Sequence, residues 1–176
     1  MAQDKGLFMD DYFFMGKHEE EVRKLISEVD NKSGAHIFTS GIELFMAAAI
    51  IGCSYNRRAT KEKGPQTFRI FQNQFSNHYQ RLLFIYKLVM LCDSDVTLSG
   101  IDKVNNAFRH PEDKRNRDVF EEYMLGGIDV IYDKLFVSTN TSYDNFKDSL
   151  CELISEFKND TKKDVGIVFN EGENIW

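Results

Sequence analysis

The feature that most constrains the fold is a pair of consecutive glycines inside a strongly periodic helical segment. Apolar residues recur there at three- and four-residue steps, the period of one helix face: Phe120, Tyr123, Met124, Ile128, Ile131 and Leu135. Gly126 and Gly127 lie in the middle of this stripe, and each glycine costs a helix interior about 0.8–1.0 kcal/mol relative to alanine. We therefore predict either a close approach of another backbone at these glycines or a break in the helix.

A second segment predicts the neighbour that approaches the glycines. Residues 44–51 are apolar on every side, as expected of a short helix at the centre of a core. Ser40 and Glu43 have the spacing of a capping box at its start, and Gly52 suits its end. The small side chains of Ala47, Ala48 and Ala49 would let another helix come close.

The apolar periodicity as a whole predicts an all-α fold, a single bundle of about five helices around the buried residues 42–51. The other helices are expected at about 18–29, 72–92, 113–136 and 143–157, with a short additional helix near 101–108. Residues 68–71 fit either a strand-like turn or a helix start, and residues 30–34 fit a turn. We expect one domain over residues 1–176, in which 1–16 form a loosely packed N-terminal arm and 160–176 form a tail with short extended segments.

The composition excludes several classes of protein. No apolar run reaches the roughly 20 residues that span a bilayer, and the first residues lack the layout of a signal peptide. Cys53, Cys92 and Cys151 are widely spaced in apolar surroundings, so we expect reduced core thiols and neither a disulfide framework nor a metal site. The sequence favours a cytoplasmic protein that does not insert into a membrane.

No motif identifies a catalytic, metal or cofactor site. The four histidines lack metal-ligand spacing, and phosphate-loop and hydrolase motifs are absent. Glu112 and Asp113 superficially resemble the acidic signature of a metal-dependent nuclease, but they fall at a predicted helix start with no buried strands nearby. We therefore predict no catalytic residues, no metal and no cofactor, and we keep a small nuclease or toxin as the less favoured alternative.

Basic charge is concentrated in one part of an acidic chain. Residues 55–87 contain seven Lys or Arg and one Glu, although the whole chain has a formal charge of −6. Such segregation creates a positive patch or an ordinary solvated surface. Residues 55–65 are predicted to be a loop, which we call the basic loop. The candidate residues for binding DNA phosphates or the acidic surface of a partner protein are Arg57, Arg58, Lys61, Lys63 and Arg69.

Two groups of segments carry a family resemblance. The first comprises Ile37–Ser40, Leu44–Gly52 and Asn56–Arg58, and the second comprises Val119–Tyr123, Gly126–Ile128 and Leu135, with residues 80–92 between them. Together, over roughly residues 35–136, they resemble the small accessory proteins encoded with Dnd DNA-phosphorothioation systems. The resemblance implies association with bacterial systems that replace a DNA backbone oxygen by sulfur, or that restrict DNA lacking this mark. It brings no catalytic residues to this chain.

The resemblance and the basic loop together predict a non-enzymatic accessory subunit of a DNA phosphorothioation-linked modification or antiviral defence system. This subunit would contact DNA, or another protein of the system, through the basic loop. The alternative is a DNA-binding transcriptional regulator of the same system. The sequence leaves the oligomeric state open.

Overall fold

The computed structural model describes residues 6–30, 35–64, 68–137 and 143–164, and these residues are mainly helical. The predicted all-α class is confirmed. The described residues form seven α-helices: α1 (Lys17–Ile26), α2 (Gly41–Ser54), α3 (Gln72–Asn77), α4 (Tyr79–Leu91), α5 (Gly100–Phe108), α6 (Lys114–Tyr132) and α7 (Tyr143–Asp164). A π-helical turn, Asp133–Val137, extends α6.

Two differences raise the helix number above the predicted five. The helix expected at 72–92 is divided into α3 and α4 because His78, with φ −111° and ψ 11°, leaves the helical conformation. The short segment near residues 101–108 forms a complete helix, α5, whose start is fixed by a capping box between Ser99 and Asp102. Both differences concern local hydrogen bonding and leave the predicted class unchanged.

Four short strands accompany the helices in the described part of the chain. β1 (Tyr12–Phe14) pairs antiparallel with β4 (Phe68–Ile70), and β2 (Glu28–Asp30) pairs with β3 (Ala35–His36). Residues 68–70 are therefore a strand and not a helix start. The turn predicted at 30–34 lies mostly outside the described residues, since only Asp30 belongs to them. Of the tail predicted at 160–176, residues 160–164 belong to α7 and are therefore helical, and residues 165–176 lie outside the described residues.

The N-terminal segment is packed more closely than the sequence suggested. Leu7 and Phe14 are buried, and the Phe8 ring stacks on Phe75 with the ring centroids 5.8 Å apart. The expected loose arm is thus a covering layer of the core over residues 6–16. The physical reason is the aromatic content of this segment, because large apolar side chains bury favourably against any apolar surface within reach.

The centre of the core is the contact between α2 and α6, the most extensive between any two described elements. A Cβ atom added to Gly127 would lie 1.8 Å from the carbonyl oxygen of Ala48, and one added to Gly52 would lie 1.8 Å from that of Tyr123. The two helix backbones therefore touch, and α6 continues through both glycines. The prediction of a close approach beside the alanine run is confirmed, and the alternative of a break is excluded.

The cysteines occupy less buried positions than expected. Cys53 is half-buried, whereas Cys92 and Cys151 are exposed, and all three are free thiols. Cys92 is exposed because it caps the C-terminus of α4, and Cys151 because it lies on an outward face of α7. In the described part of the chain, no helix has both the length and the apolar character needed to cross a bilayer.

Candidate functional site

The basic loop is fixed to α6 by its backbone. The Arg57 amide donates to the carbonyl oxygen of Gly52 at 2.8 Å, and the Ala59 amide donates to that of Glu122 at 2.9 Å. A Cβ atom on Gly126 would lie 2.1 Å from the Arg57 carbonyl oxygen. The two glycines thus have separate roles. Gly127 allows the backbone of α2 to approach α6, and Gly126 allows the backbone of the basic loop to approach it.

Arg58 is part of a buried polar cluster. Its guanidinium group forms an ion pair with the buried Asp93 and lies over the Tyr123 ring, 4.5 Å from the centroid. The Tyr123 hydroxyl donates to Asp93 Oδ1 at 3.0 Å and accepts from the Ser94 amide at 3.1 Å. Burial alone would lower the pKa of Arg58, but the contacts with Tyr123 and Asp93 raise it overall. Arg58 therefore stays charged, and much of its charge is neutralised within the molecule.

Lys61 and Arg69 also have acidic partners. Lys61 Nζ lies 2.8 Å from Glu121 Oε1 and 4.3 Å from the centroid of the Tyr12 ring. Arg69 lies on β4, and its Nη1 atom is 3.4 Å from Asp11 Oδ2. Burial and the neighbouring Glu121 carboxylate raise the pKa of Tyr12 well above its ordinary value. Three of the five predicted binding residues are thus paired with carboxylates.

Arg57 and Lys63 differ from these three. Both side chains are exposed, and the described residues provide neither of them with an ion-pair partner. Both lie on the basic loop together with Arg58 and Lys61, whereas Arg69 lies on β4, opposite Phe13 of β1. Arg57 and Lys63 are therefore the members of the predicted set best placed to meet a ligand.

A cleft of about 510 Å³ opens beside Arg58. The charged side chains that line the cleft form ion pairs with one another. Lys114 Nζ lies 2.6 Å from Asp118 Oδ2, and Arg115 Nη2 lies 4.0 Å from Asp95 Oδ2. Asp113, one of the two acids considered for a nuclease, caps α6 by accepting a hydrogen bond from the Arg115 amide at 2.9 Å. The predicted helix start at this position is therefore correct.

An exposed apolar surface covers α4, α5 and the turn between them, and we call it the α4–α5 face. Its members are Phe84, Leu88, Leu91, Val96, Ile101, Val104 and Phe108. The two helices meet where Lys87 of α4 lies over the Phe108 ring of α5, with Nζ 4.9 Å from the ring centroid. The sequence analysis missed this face, although the apolar residues of α4 extend around more than one side of the helix.

One group of metal-ligand side chains meets among the described residues, formed by His18, Glu21 and Asp129. The sequence predicts no such group, because the known spacings of histidine ligands are local in sequence. The local part of the signal is the three-residue step from His18 to Glu21, which places both side chains on one face of α1. Asp129 comes from α6 and could be associated with them only by the fold.

These observations define a mainly helical protein in which a charged loop is fixed on the central helix pair beside an exposed apolar face. Over residues 15–168 the chain matches the family described as DNA sulphur modification system-associated protein 4, and it belongs to that family. The resemblance seen over residues 35–136 is thereby confirmed, and the match extends beyond it in both directions. No curated protein and no solved structure matches the chain.

Proposed function

We propose that this protein is a non-enzymatic accessory subunit of a bacterial DNA sulfur modification or defence system, and that it acts by binding another protein of the system. Membership of the family supports the link to such a system. The observation that carries the binding role is the α4–α5 face. A protein partner accounts for this face, whereas DNA offers it no matching apolar surface.

The size of the apolar exposure supports a binding role. Val96 is 95% exposed, Ile101 74% and Phe84 67%, and all three belong to the same face. Single exposed apolar side chains are ordinary, but a contiguous patch of a few hundred Å² usually marks an interaction site. The two helices that carry these residues meet at Lys87 and Phe108, where Lys87 Nζ lies 4.9 Å from the centroid of the ring.

The charges beside the face indicate the chemistry of the partner. The charged residues of α4 are Arg81 and Lys87, and this helix contains no acid. Two copies that pack α4 against α4 would bring these like charges together, which opposes association, whereas α5 adds one acid and one base, Asp102 and Lys103. We therefore propose a partner that presents an apolar surface with an acidic rim, and that is a different protein of the same system.

The test is a binding assay between the purified protein and each of the other purified proteins of the system. Changing Phe84 and Ile101 together to glutamate should abolish binding, because it buries two charges in the apolar centre of the interface. Val137→Glu is the matched control, since Val137 is 68% exposed and lies outside the face. This control should bind as the wild type does.

Two results would contradict the proposal. One is binding that survives the double substitution. The other is a wild-type dimer that the double substitution converts to a monomer, because this would show that a second copy occupies the face. Size-exclusion chromatography with light scattering distinguishes these states.

A contact between the basic loop and DNA is the second candidate, either in an accessory subunit or in a transcriptional regulator. It is supported by the exposed Arg57 and Lys63, whose positive charges suit phosphate oxygens. It is opposed by the carboxylate partners of Arg58, Lys61 and Arg69. The nuclease alternative is weakened by the capping role of Asp113.

A further inference from the structure

We infer that His18, Glu21 and Asp129 bind a divalent transition-metal ion that links α1 to α6. The ligand atoms that the three side chains offer all lie within 4.8 Å of one another. Two come from one face of α1, and the third comes from α6 just after the glycine pair. This site is separate from the α4–α5 face, and it adjoins the basic loop where the Lys17 amide donates to Glu62 Oε2 at 2.9 Å.

The polar atoms of the group are buried without the hydrogen bonds that such burial requires. His18 is fully buried, and neither of its ring nitrogens makes a hydrogen bond with the described residues. Glu21 Oε2 is likewise buried without a hydrogen-bond partner there. Buried polar atoms are nearly always hydrogen-bonded, so a buried imidazole that faces two carboxylates without a well-aligned hydrogen bond suits a ligand between them.

The distance between His18 and Asp129 fits a shared ion. His18 Nε2 lies 3.1 Å from Asp129 Oδ1, at the distance of an ion pair, although the two groups are not aligned for a hydrogen bond. Two ligand atoms bonded to one metal ion at about 2.0–2.2 Å, with an angle between about 90° and 110°, are themselves about 2.8–3.6 Å apart. The observed separation is therefore that of neighbouring ligands.

Lys17 would compete with a metal ion for the Asp129 carboxylate. Its Nζ lies 2.8 Å from the same Asp129 oxygen and supplies a positive charge to the carboxylates. The Lys17 side chain is 47% exposed, so it can move into water when an ion binds. We therefore expect metal binding and the Lys17–Asp129 ion pair to exclude each other.

The donor set selects the kind of ion. One imidazole nitrogen and two carboxylate oxygens suit Zn²⁺ or Mn²⁺, while Mg²⁺ and Ca²⁺ prefer oxygen ligands alone. Three protein ligands leave at least one coordination position for water or another group. Because the ligands come from two helices, the ion would hold α1 against α6.

The experiment is a calorimetric titration of chelator-treated protein with Zn²⁺, with parallel titrations of Mn²⁺ and Mg²⁺. We expect one Zn²⁺ or Mn²⁺ per chain and weaker Mg²⁺ binding. Glu21→Gln should weaken binding by about tenfold or more, because it removes a charged ligand. Glu20→Gln is the matched control, since Glu20 is exposed on the same helix and should leave the affinity unchanged.

A second variant tests the competition and keeps the proposal falsifiable if substitutions of the buried His18 or Asp129 prevent folding. Lys17→Met should bind Zn²⁺ more tightly than the wild type. The absence of a stoichiometric site in both proteins would overturn the proposal and leave the group as an ion-pair cluster. So would equal affinities of the wild type and Glu21→Gln, since other histidines would then account for the binding. Circular dichroism checks that each variant is folded.

Discussion

At the scale of single residues, the structure changes the interpretation of the basic loop. In the sequence, Arg58 lies in the basic loop and has the charge expected of a residue that binds phosphate. In the fold, its guanidinium group forms an ion pair with Asp93 and a hydrogen bond with the Tyr123 hydroxyl. Removing one partner of a buried ion pair typically costs about 3–5 kcal/mol, because the other charge is left uncompensated. A substitution of Arg58 would therefore report on stability more than on binding, and Arg57 is the better probe of ligand contact.

Cys53 provides a prediction at this scale. Burial raises its pKa to about 12, with smaller contributions from Cys92 and Asp93. The thiolate is the reactive form, so only about one Cys53 in ten thousand is reactive at pH 8. We expect iodoacetamide to modify the exposed Cys92 and Cys151 at pH 8 and to spare Cys53, as measured by mass spectrometry of peptides.

The same reaction in urea is the control, because unfolding removes the burial and all three thiols should then react at similar rates. The fraction of Cys53 thiolate rises as the pH approaches 12, so its modification in the folded protein should increase with pH. Modification of Cys53 as fast as that of Cys92 at pH 8 would contradict its burial.

At the scale of secondary-structure elements, the contact between α2 and α6 organises the molecule. Gly52 of α2 meets the Tyr123 carbonyl of α6, and Gly127 of α6 meets the Ala48 carbonyl of α2. Each helix therefore supplies a glycine where the other supplies a backbone oxygen. Because the neighbouring atoms are backbone, an added methyl group can be accommodated only by moving a helix.

Gly127→Ala is the prediction that tests this contact. The added Cβ would improve helix propensity by about 1 kcal/mol, but overpacking against a backbone costs about 3 kcal/mol or more. We expect a net destabilisation of about 2 kcal/mol or more in urea unfolding. Gly100→Ala is a suitable control, because a Cβ at Gly100 has nothing within 4 Å. A Gly127→Ala protein as stable as the wild type would show that the helices can separate at little cost.

The elements predicted correctly are those whose signals are local in sequence. The stripe of α6 and the fully apolar α2 follow from periodicity, and Ser40 caps α2 by accepting from the Glu43 amide at 3.4 Å. The capping box is only half formed, because the Glu43 carboxylate accepts from the hydroxyl and the amide of Thr39 instead. The hydrogen bond from the hydroxyl is the main reason that the pKa of Glu43 is lowered. The choice between Thr39 and Ser40 depends on local backbone geometry that the spacing alone does not specify.

The features that sequence analysis missed depend on contacts between distant segments. β1 pairs with β4 across most of the N-terminal half of the described chain, and Asp129 reaches His18 only after α1 packs on α6. Asp93 directly follows the helix predicted at 72–92, and only the fold makes it the partner of Arg58. No local pattern predicts these pairings, because each of the two partners is an ordinary residue within its own segment of the sequence.

At the scale of the whole molecule, positive charge is far more segregated in the sequence than on the folded surface. The protein carries a formal charge of −6, and three bases of the basic segment, Arg58, Lys61 and Arg69, are paired with acids from distant positions. These acids are Asp93 just after α4, Glu121 on α6 and Asp11 just before β1. The folded surface therefore offers DNA fewer free cations than the count of Lys and Arg suggests.

The salt dependence of DNA binding tests this conclusion. If Arg57 and Lys63 are the phosphate contacts, the logarithm of affinity should fall with the logarithm of salt concentration with a slope of about −1.8; contacts from all five predicted residues would give about −4.5. Electrophoretic mobility shifts at several salt concentrations measure this slope. Changing Arg57 and Lys63 to alanine should remove the binding, while Arg109 and Lys114 changed to alanine provide a control with the same loss of charge elsewhere.

The contact between α2 and α6 also has a consequence for biosynthesis. Helix α2 is apolar on every side, yet α6 begins only at Lys114, so the surface that covers α2 is synthesised much later. At a translation rate of about 5–20 residues per second, α2 waits on the order of 4–16 seconds for α6 to be completed. During this interval the side of α2 that faces α6 is uncovered, and it is a surface on which a nascent chain can aggregate or bind a chaperone.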